Sequence, residues 1–257
     1  LREDELGVDE SVFGEMPLHR AAAVDMPGVI RALVVEHGAS PNVRSDSGET
    51  PLHLACKNGS AAAAVELVRR GAKINVVDDS ARTPLQWCAY AGHKEIGRWL
   101  IEQGADLDPW SAAALGRLEE LRRAIGPGNM NVHRSGPIAG ATPLHYAARW
   151  GSPAALKLLL DAGASPTRRD DRKTTALLLA AQAQSTASVA VLLNAGARPT
   201  AKSNEDVTPL HAAAAWGDAE MVRLMATHSD TLDPEDTKGR TPVAYAHMAK
   251  RPEIAKL

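Results

Sequence analysis

"TPLHYAARWG", residues 142–151, puts a histidine, two aromatic rings and an arginine into ten residues. Such a stretch reads either as a reactive pocket or as a structural part used many times over. Copies decide between the two. ETPLHLACKNG starts at Glu49 and VTPLHAAAAWG at Val207. Looser copies are EMPLHRAAAVD from Glu15, RTPLQWCAYAG from Arg82, TTALLLAAQAQ from Thr174 and RTPVAYAHMAK from Arg240. Pro17 to Pro51 is 34 residues and Pro51 to Pro84 is 33; Pro143, Ala176, Pro209 and Pro242 follow one another at 33. Self-similarity at that period marks a repeat architecture.

Within the repeat that begins at Thr142, the threonine hydroxyl caps a helix and Pro143 suits its first turn. The helix is expected to stop near Gly151. Ser152 and Pro153 open a second helix, which carries Leu156, Leu159 and Leu160 on one face. Gly163 supplies the left-handed stop. ASPTRRDDRKT then reads as a polar turn too short for another helix. Ala21, Ala22, Ala55, Ala147, Ala148, Ala180, Ala181, Ala213 and Ala214 are small enough for first helices to approach closely. A unit of this size cannot bury its own apolar face, so neighbours must stack.

Seven motif copies in register resemble the ankyrin-repeat family over nearly the whole chain. The resemblance implies an all-α solenoid of stacked helix-turn-helix units with short β-hairpin-like fingers. Eight repeats are expected in one domain, at approximately 11–44, 45–77, 78–105, 106–136, 137–169, 170–202, 203–235 and 236–257. The fourth is irregular. Gly92 and Gly116 are 24 residues apart and Gly116 and Gly151 are 35, so about nine residues are missing ahead of it. It reads as two helices, Ser111 to Leu115 and Leu118 to Ile125, without T-P-L-H and without the preceding finger. Trp110 is expected to be at least partly buried, filling the space that T-P-L-H would otherwise fill. The chain begins with Leu1 and stops within a last second helix, so both ends are expected to be cut from a longer protein.

Composition narrows the function classes. A net charge of −2 disfavours nucleic-acid binding, which wants a strongly basic surface. No apolar run of about twenty residues would cross a membrane, and a cytoplasmic location is expected. Two cysteines are too few for a disulfide scaffold. Cys56 and Cys88 are expected to be buried and reduced. The histidines at the fourth place of the motif, His19, His53, His145 and His211, lie too far apart to share an ion. His93 matches a common family residue at a second-helix start; His37, His133, His228 and His247 have no ligand spacing. No metal and no cofactor is expected. GPGNMNVHRSG lacks the lysine of a phosphate loop, and no Cys-His or G-x-S-x-G constellation accompanies the cysteines. TRRDDRK, 167–173, mixes four bases with two acids: a solvated turn, or a place for a partner's carboxylate or phosphate.

The resemblance also implies where partners bind. The two places before the terminal glycine of each first helix face the concave groove, and one side of each finger joins them. Here those places are Lys57 and Asn58, Tyr90, Arg149 and Trp150, Gln182, and Trp216, with Arg82, Arg172 and Glu205 on the fingers. Trp150 and Trp216 would bound a shallow apolar floor over Gln182 and Ala183. Their rings read either as hot spots for a partner or as covers over gaps between helices. The expected function is a non-enzymatic, monomeric scaffold binding another protein, or another domain of the same chain. The rival is the regulatory or targeting part of a larger enzyme, channel or effector.

Overall fold

A computed structural model describes residues 16–126 and 139–257. The acidic N-terminal stretch, His133 and most of GPGNMNVHRSG lie outside the described residues. What is described is helical and falls into eight consecutive helix pairs. They are α1 (Pro17–Ala23) with α2 (Pro27–Val35), α3 (Pro51–Asn58) with α4 (Ala61–Arg69), and α5 (Pro84–Ala91) with α6 (Lys94–Glu102). Then come α7 (Pro109–Leu115) with α8 (Leu118–Ala124), and α9 (Pro143–Arg149) with α10 (Pro153–Asp161). The rest are α11 (Ala176–Gln182) with α12 (Thr186–Asn194), α13 (Pro209–Trp216) with α14 (Ala219–Thr227), and α15 (Pro242–Met248) with α16 (Pro252–Ala255). They group into two compact units, one ending at Leu107 and one beginning at Asp108.

In each unit, first helices stack on first helices and second helices on second. The alanines permit this: Ala22, Ala55, Ala147, Ala148, Ala180, Ala181 and Ala213 have no exposed surface. The second helices contribute Ile30, Leu67, Leu100, Leu121, Leu156, Leu159 and Leu192 to the core. Gly59 ends α3 at φ 80°, and a Cβ there would come within 2.5 Å of the His93 ring, so the position is closed to larger residues twice over.

The motif histidine stitches one repeat to the next. In repeat five the Thr142 N–H donates to His145 Nδ1 at 3.1 Å, and the Thr142 hydroxyl lies 2.8 Å from the same nitrogen. Nδ1 therefore accepts, the ring proton sits on Nε2, and Nε2 donates to the Thr174 carbonyl at 3.1 Å. His19 reaches Glu49, His53 reaches Arg82 and His211 reaches Arg240 in the same way, each at 2.9–3.0 Å. The acceptor is always the residue just before the next repeat's capping position. Burial is the main reason the His53 and His211 pKa values lie below the ordinary imidazole value; the bond to the next carbonyl opposes it.

Repeat four keeps this device with different residues. Its first helix starts at Pro109, two residues earlier than the sequence suggests, and Asp108 caps it by accepting from Ser111 N at 2.7 Å. Asp108-Pro109-Trp110-Ser111 thus stands where T-P-L-H stands elsewhere. Ser111 is too short to act as the histidine does, and its buried Oγ has no partner among the described residues. Half-buried Trp110 takes over: its indole N–H donates to the Ala141 carbonyl, just before Thr142, at 2.9 Å.

The fingers are hairpin-like but carry little formal strand; an isolated antiparallel bridge joins Arg169 and Thr175. They ladder along each stack, with Asp79 N donating to Ser47 O (3.1 Å), Asn204 N to Arg172 O (3.0 Å) and Thr237 N to Glu205 O (3.1 Å). Cys56 and Cys88 are free and buried. Burial pushes the Cys56 thiol well up, and the neighbouring Cys88 thiol adds to it.

Candidate functional site

The first unit ties its groove residues to one another. Asp78, at the base of a finger, accepts from the N–H groups of Ser80 and Arg82 (2.9 Å each) and from the Arg82 side chain (2.7 Å). Burial raises its pKa, but the backbone and side chain of Arg82 outweigh that and hold the carboxyl below its usual value. The Arg82 guanidinium, so fixed, lies 4.5 Å from the centre of the Trp87 ring. Lys57 lies 4.6 Å from the same ring, and its ammonium is 3.4 Å from Glu49. Tyr90 meets Trp87 edge-on, with centroids 5.8 Å apart. The Asn58 amide donates to the Leu54 carbonyl of its own helix. Four of the residues expected to contact a partner, Lys57, Asn58, Arg82 and Tyr90, are thus engaged within the unit.

The second unit repeats half of that knot and leaves the rest open. Asp236, Arg240 and Tyr245 occupy the frame positions of Asp78, Arg82 and Trp87. Arg240 Nε donates to Asp236 at 2.7 Å and the Tyr245 hydroxyl donates to the same oxygen at 2.9 Å. The Arg240 guanidinium holds the Asp236 carboxyl well below the usual carboxylate range, against the opposing effect of burial. Burial, then Asp236, pushes the Tyr245 phenol up. Tyr245 also stands edge-on to His211, at 4.9 Å.

Beside this knot lies a groove of about 510 Å³. Leu178, Val207, Trp216 and Tyr245 form its apolar surface. Arg172, Gln182 and Glu205 also line it, and all three are exposed. Trp216 is 45% exposed. The Arg172 and Glu205 side chains, on neighbouring fingers, make no ion pair or hydrogen bond among the described residues. Four expected residues, Arg172, Gln182, Glu205 and Trp216, therefore come together. Trp150 does not line this groove: it is half-buried, its indole nitrogen is enclosed, and the Arg149 guanidinium lies 5.4 Å from its ring centre. The open floor runs from Trp216 toward Tyr245 rather than back to Trp150.

Sequence reasoning missed Trp87 and Tyr245. A signal was present: DDSARTPLQW and DTKGRTPVAY share an aspartate, an arginine four residues on and an aromatic five beyond that.

Stacked helix pairs with a laddered row of fingers in each unit define a helical repeat protein of the solenoid class. A family model described as ankyrin repeats in three copies matches residues 12–109, 110–203 and 199–257. The chain belongs to the ankyrin-repeat family, and its repeats are of a kind that mediates protein–protein interaction. It is 40% identical over 55 residues to NF-kappa-B inhibitor alpha of Rattus norvegicus, a match taking in 21% of this chain and 17% of the relative. It is 25% identical over 172 residues to a Danio rerio protein named for palmitoyltransferase ZDHHC13, covering 63% of this chain and 27% of the relative. The chain's matches thus span under a third of the curated relatives' length. The crystal structure of the human ASB11 ankyrin repeat domain is similar at 25% identity and a TM-score of 0.50, over 91% of this chain and 96% of that one. Among the described residues no helix is long and apolar enough to cross a membrane.

Proposed function

We propose that the chain is a non-catalytic interaction domain that binds a segment of another protein in the groove of the second unit. The observation that carries this is the exposed Trp216 ring, set beside Leu178, Val207 and Tyr245 and flanked by Arg172 and Glu205, whose side chains make no ion pair or hydrogen bond among the described residues. An exposed indole in a concave apolar surface is a hot-spot type, and charges of opposite sign on neighbouring fingers orient a segment. We infer that the eight helix pairs act as one array, because the three family matches together span residues 12 to 257.

A second reading makes this array the regulatory or targeting part of a larger enzyme. Two relatives favour it: the protein named for a palmitoyltransferase, and one from Arabidopsis thaliana named for E3 ubiquitin-protein ligase XBAT34, 50% identical over 52 residues, 20% of this chain and 14% of that protein. The test is selection of random twelve-residue peptides displayed on phage against the wild-type protein, with Trp216→Ala screened in parallel. Peptides enriched on the wild type and weakened about 30-fold or more by Trp216→Ala support the groove, that factor being about 2 kcal/mol. Enriched peptides indifferent to Trp216, Arg172 and Glu205 substitutions would move binding to another surface.

A further inference from the structure

We propose that a second pocket, between the finger at residues 165–175 and the finger at 198–208, binds a phosphate monoester. It is lined by Pro166, Thr167, Arg169, Thr175, Arg198 and Ala201 and has a volume of about 270 Å³. At about 30 Å³ per water, that is room for about nine waters, enough for a phosphate group with part of what carries it. The site shares no lining residue with the Trp216 groove and does not depend on it.

Its lining residues include two arginines and no aspartate or glutamate. Arg169 and Arg198 are exposed, and neither guanidinium makes an ion pair or hydrogen bond among the described residues. The local charge is lopsided. Residues 165–208 contain Arg168, Arg169, Arg172, Lys173, Arg198 and Lys202 against Asp170, Asp171, Glu205 and Asp206, a balance of +2 in a chain whose net charge is −2, with Lys202 paired to Asp206 at 3.3 Å. Asp170 does not neutralise them: it is 6% exposed and turned to the N–H groups of Arg172 and Thr174. In the matching places Asp78 and Asp236 each hold an arginine side chain, but here Thr174 replaces that arginine.

The third donor arises from a missing histidine. In repeats five and seven the capping threonine lies 2.8 Å from the histidine Nδ1, which accepts its hydroxyl proton. In repeat six that place holds Leu178. Thr175 Oγ still accepts from Leu178 N at 3.3 Å, but its hydroxyl hydrogen has no imidazole to go to. Thr175 lines the pocket, and its hydroxyl hydrogen has no acceptor among the described residues. Two guanidinium forks and a hydroxyl match a dianion with three terminal oxygens better than a carboxylate, which offers two oxygens and one charge. No aromatic ring lines the pocket to stack a nucleobase.

The experiment follows the arginine Nε–Hε signals of the full chain by NMR while sodium phosphate, or separately O-phospho-L-serine, replaces chloride at constant ionic strength. The Arg169 and Arg198 signals are expected to move on one saturable curve, with Kd on the order of 1 mM, and phosphoserine is expected to bind at least as tightly as phosphate. Arg169→Gln and Arg198→Gln should each weaken phosphoserine about tenfold or more. Arg198→Lys should lose less, and Lys173→Gln, on the same finger, should change nothing. Melting curves matching wild type qualify each variant. Shifts that never saturate, or equal losses with Lys173→Gln, would overturn the site. Saturation by phosphate with no competition from phosphoserine would overturn the monoester and leave a small-anion site.

Discussion

Trp87 in the first unit and Trp216 in the second are both indoles carried on first helices, yet they live in opposite circumstances. Trp87 is 6% exposed, covered by the Lys57 and Arg82 cations, with Glu49 and Asp78 holding those cations in turn. Trp216 is 45% exposed, and the nearby Arg172 and Glu205 side chains make no ion pair or hydrogen bond among the described residues. Residue types that would serve an interface are the same in both places. What differs is whether the chain has already satisfied them itself. A cation pinned between its own carboxylate and its own aromatic ring has little left to offer a partner.

The sharpest way to break this contrast is to remove each ring. Trp87→Ala should cost about 4 kcal/mol of stability, as for a buried aromatic, while leaving the affinity of groove-selected peptides unchanged; urea unfolding and peptide titration on one sample check both. Trp216→Ala should do the reverse, costing about 2 kcal/mol of binding with a melting temperature near wild type. If Trp216→Ala unfolds the protein as readily as Trp87→Ala, the two rings are not different in kind. A smaller effect is expected from Trp110→Phe, which keeps the ring but removes the N–H and leaves the Ala141 carbonyl unpaired: about 1 kcal/mol in the same denaturant titration.

The smallest effect is expected from acid. The folded pKa values of His53 and His211 lie below the unfolded value of about 6.5. Their contribution is therefore fully present above about pH 6.5 and is lost as pH falls through the folded values, when Nδ1 must gain a proton and cease to accept. The melting temperature should decline gently on acidification from pH 7.5 to 5. His53→Gln and His211→Gln should each flatten that slope. A slope unchanged in both variants would assign it to other groups.

Much of this was legible in the sequence because the motif repeats the same physics. Thr-Pro opens α3, α5, α9, α13 and α15 where the reading places them. The start of α7 was missed because Asp108, Trp110 and Ser111 do not look like threonine, leucine and histidine, though together they cap the helix and reach the next carbonyl. The site was harder. Spacing could nominate Trp150 and Trp216 as the ends of a floor, with Tyr90 as a more distant candidate, but it could not say that Trp87 would gather Lys57 and Arg82 over itself. Nor could it say that Trp150 would be half enclosed while Tyr245 bordered the groove. Lys57 and Trp87 are thirty positions apart and Trp216 and Tyr245 twenty-nine, so part of the outcome rests on contacts between neighbouring repeats that spacing within one repeat does not reveal.

The histidine stitches carry one consequence for how the second unit bears load. Trp110, His145 and His211 each tie their repeat forward to the next, but Leu178 sends no side-chain bond to Val207, and both residues line the groove. Pulled from its ends, a chain of units joined by such threads should part where a thread is absent. The seam between repeats six and seven, where the finger bond from Asn204 N to Arg172 O remains, is thus a compliant joint within the second unit, and a segment seated against Trp216 would act as the clasp across it.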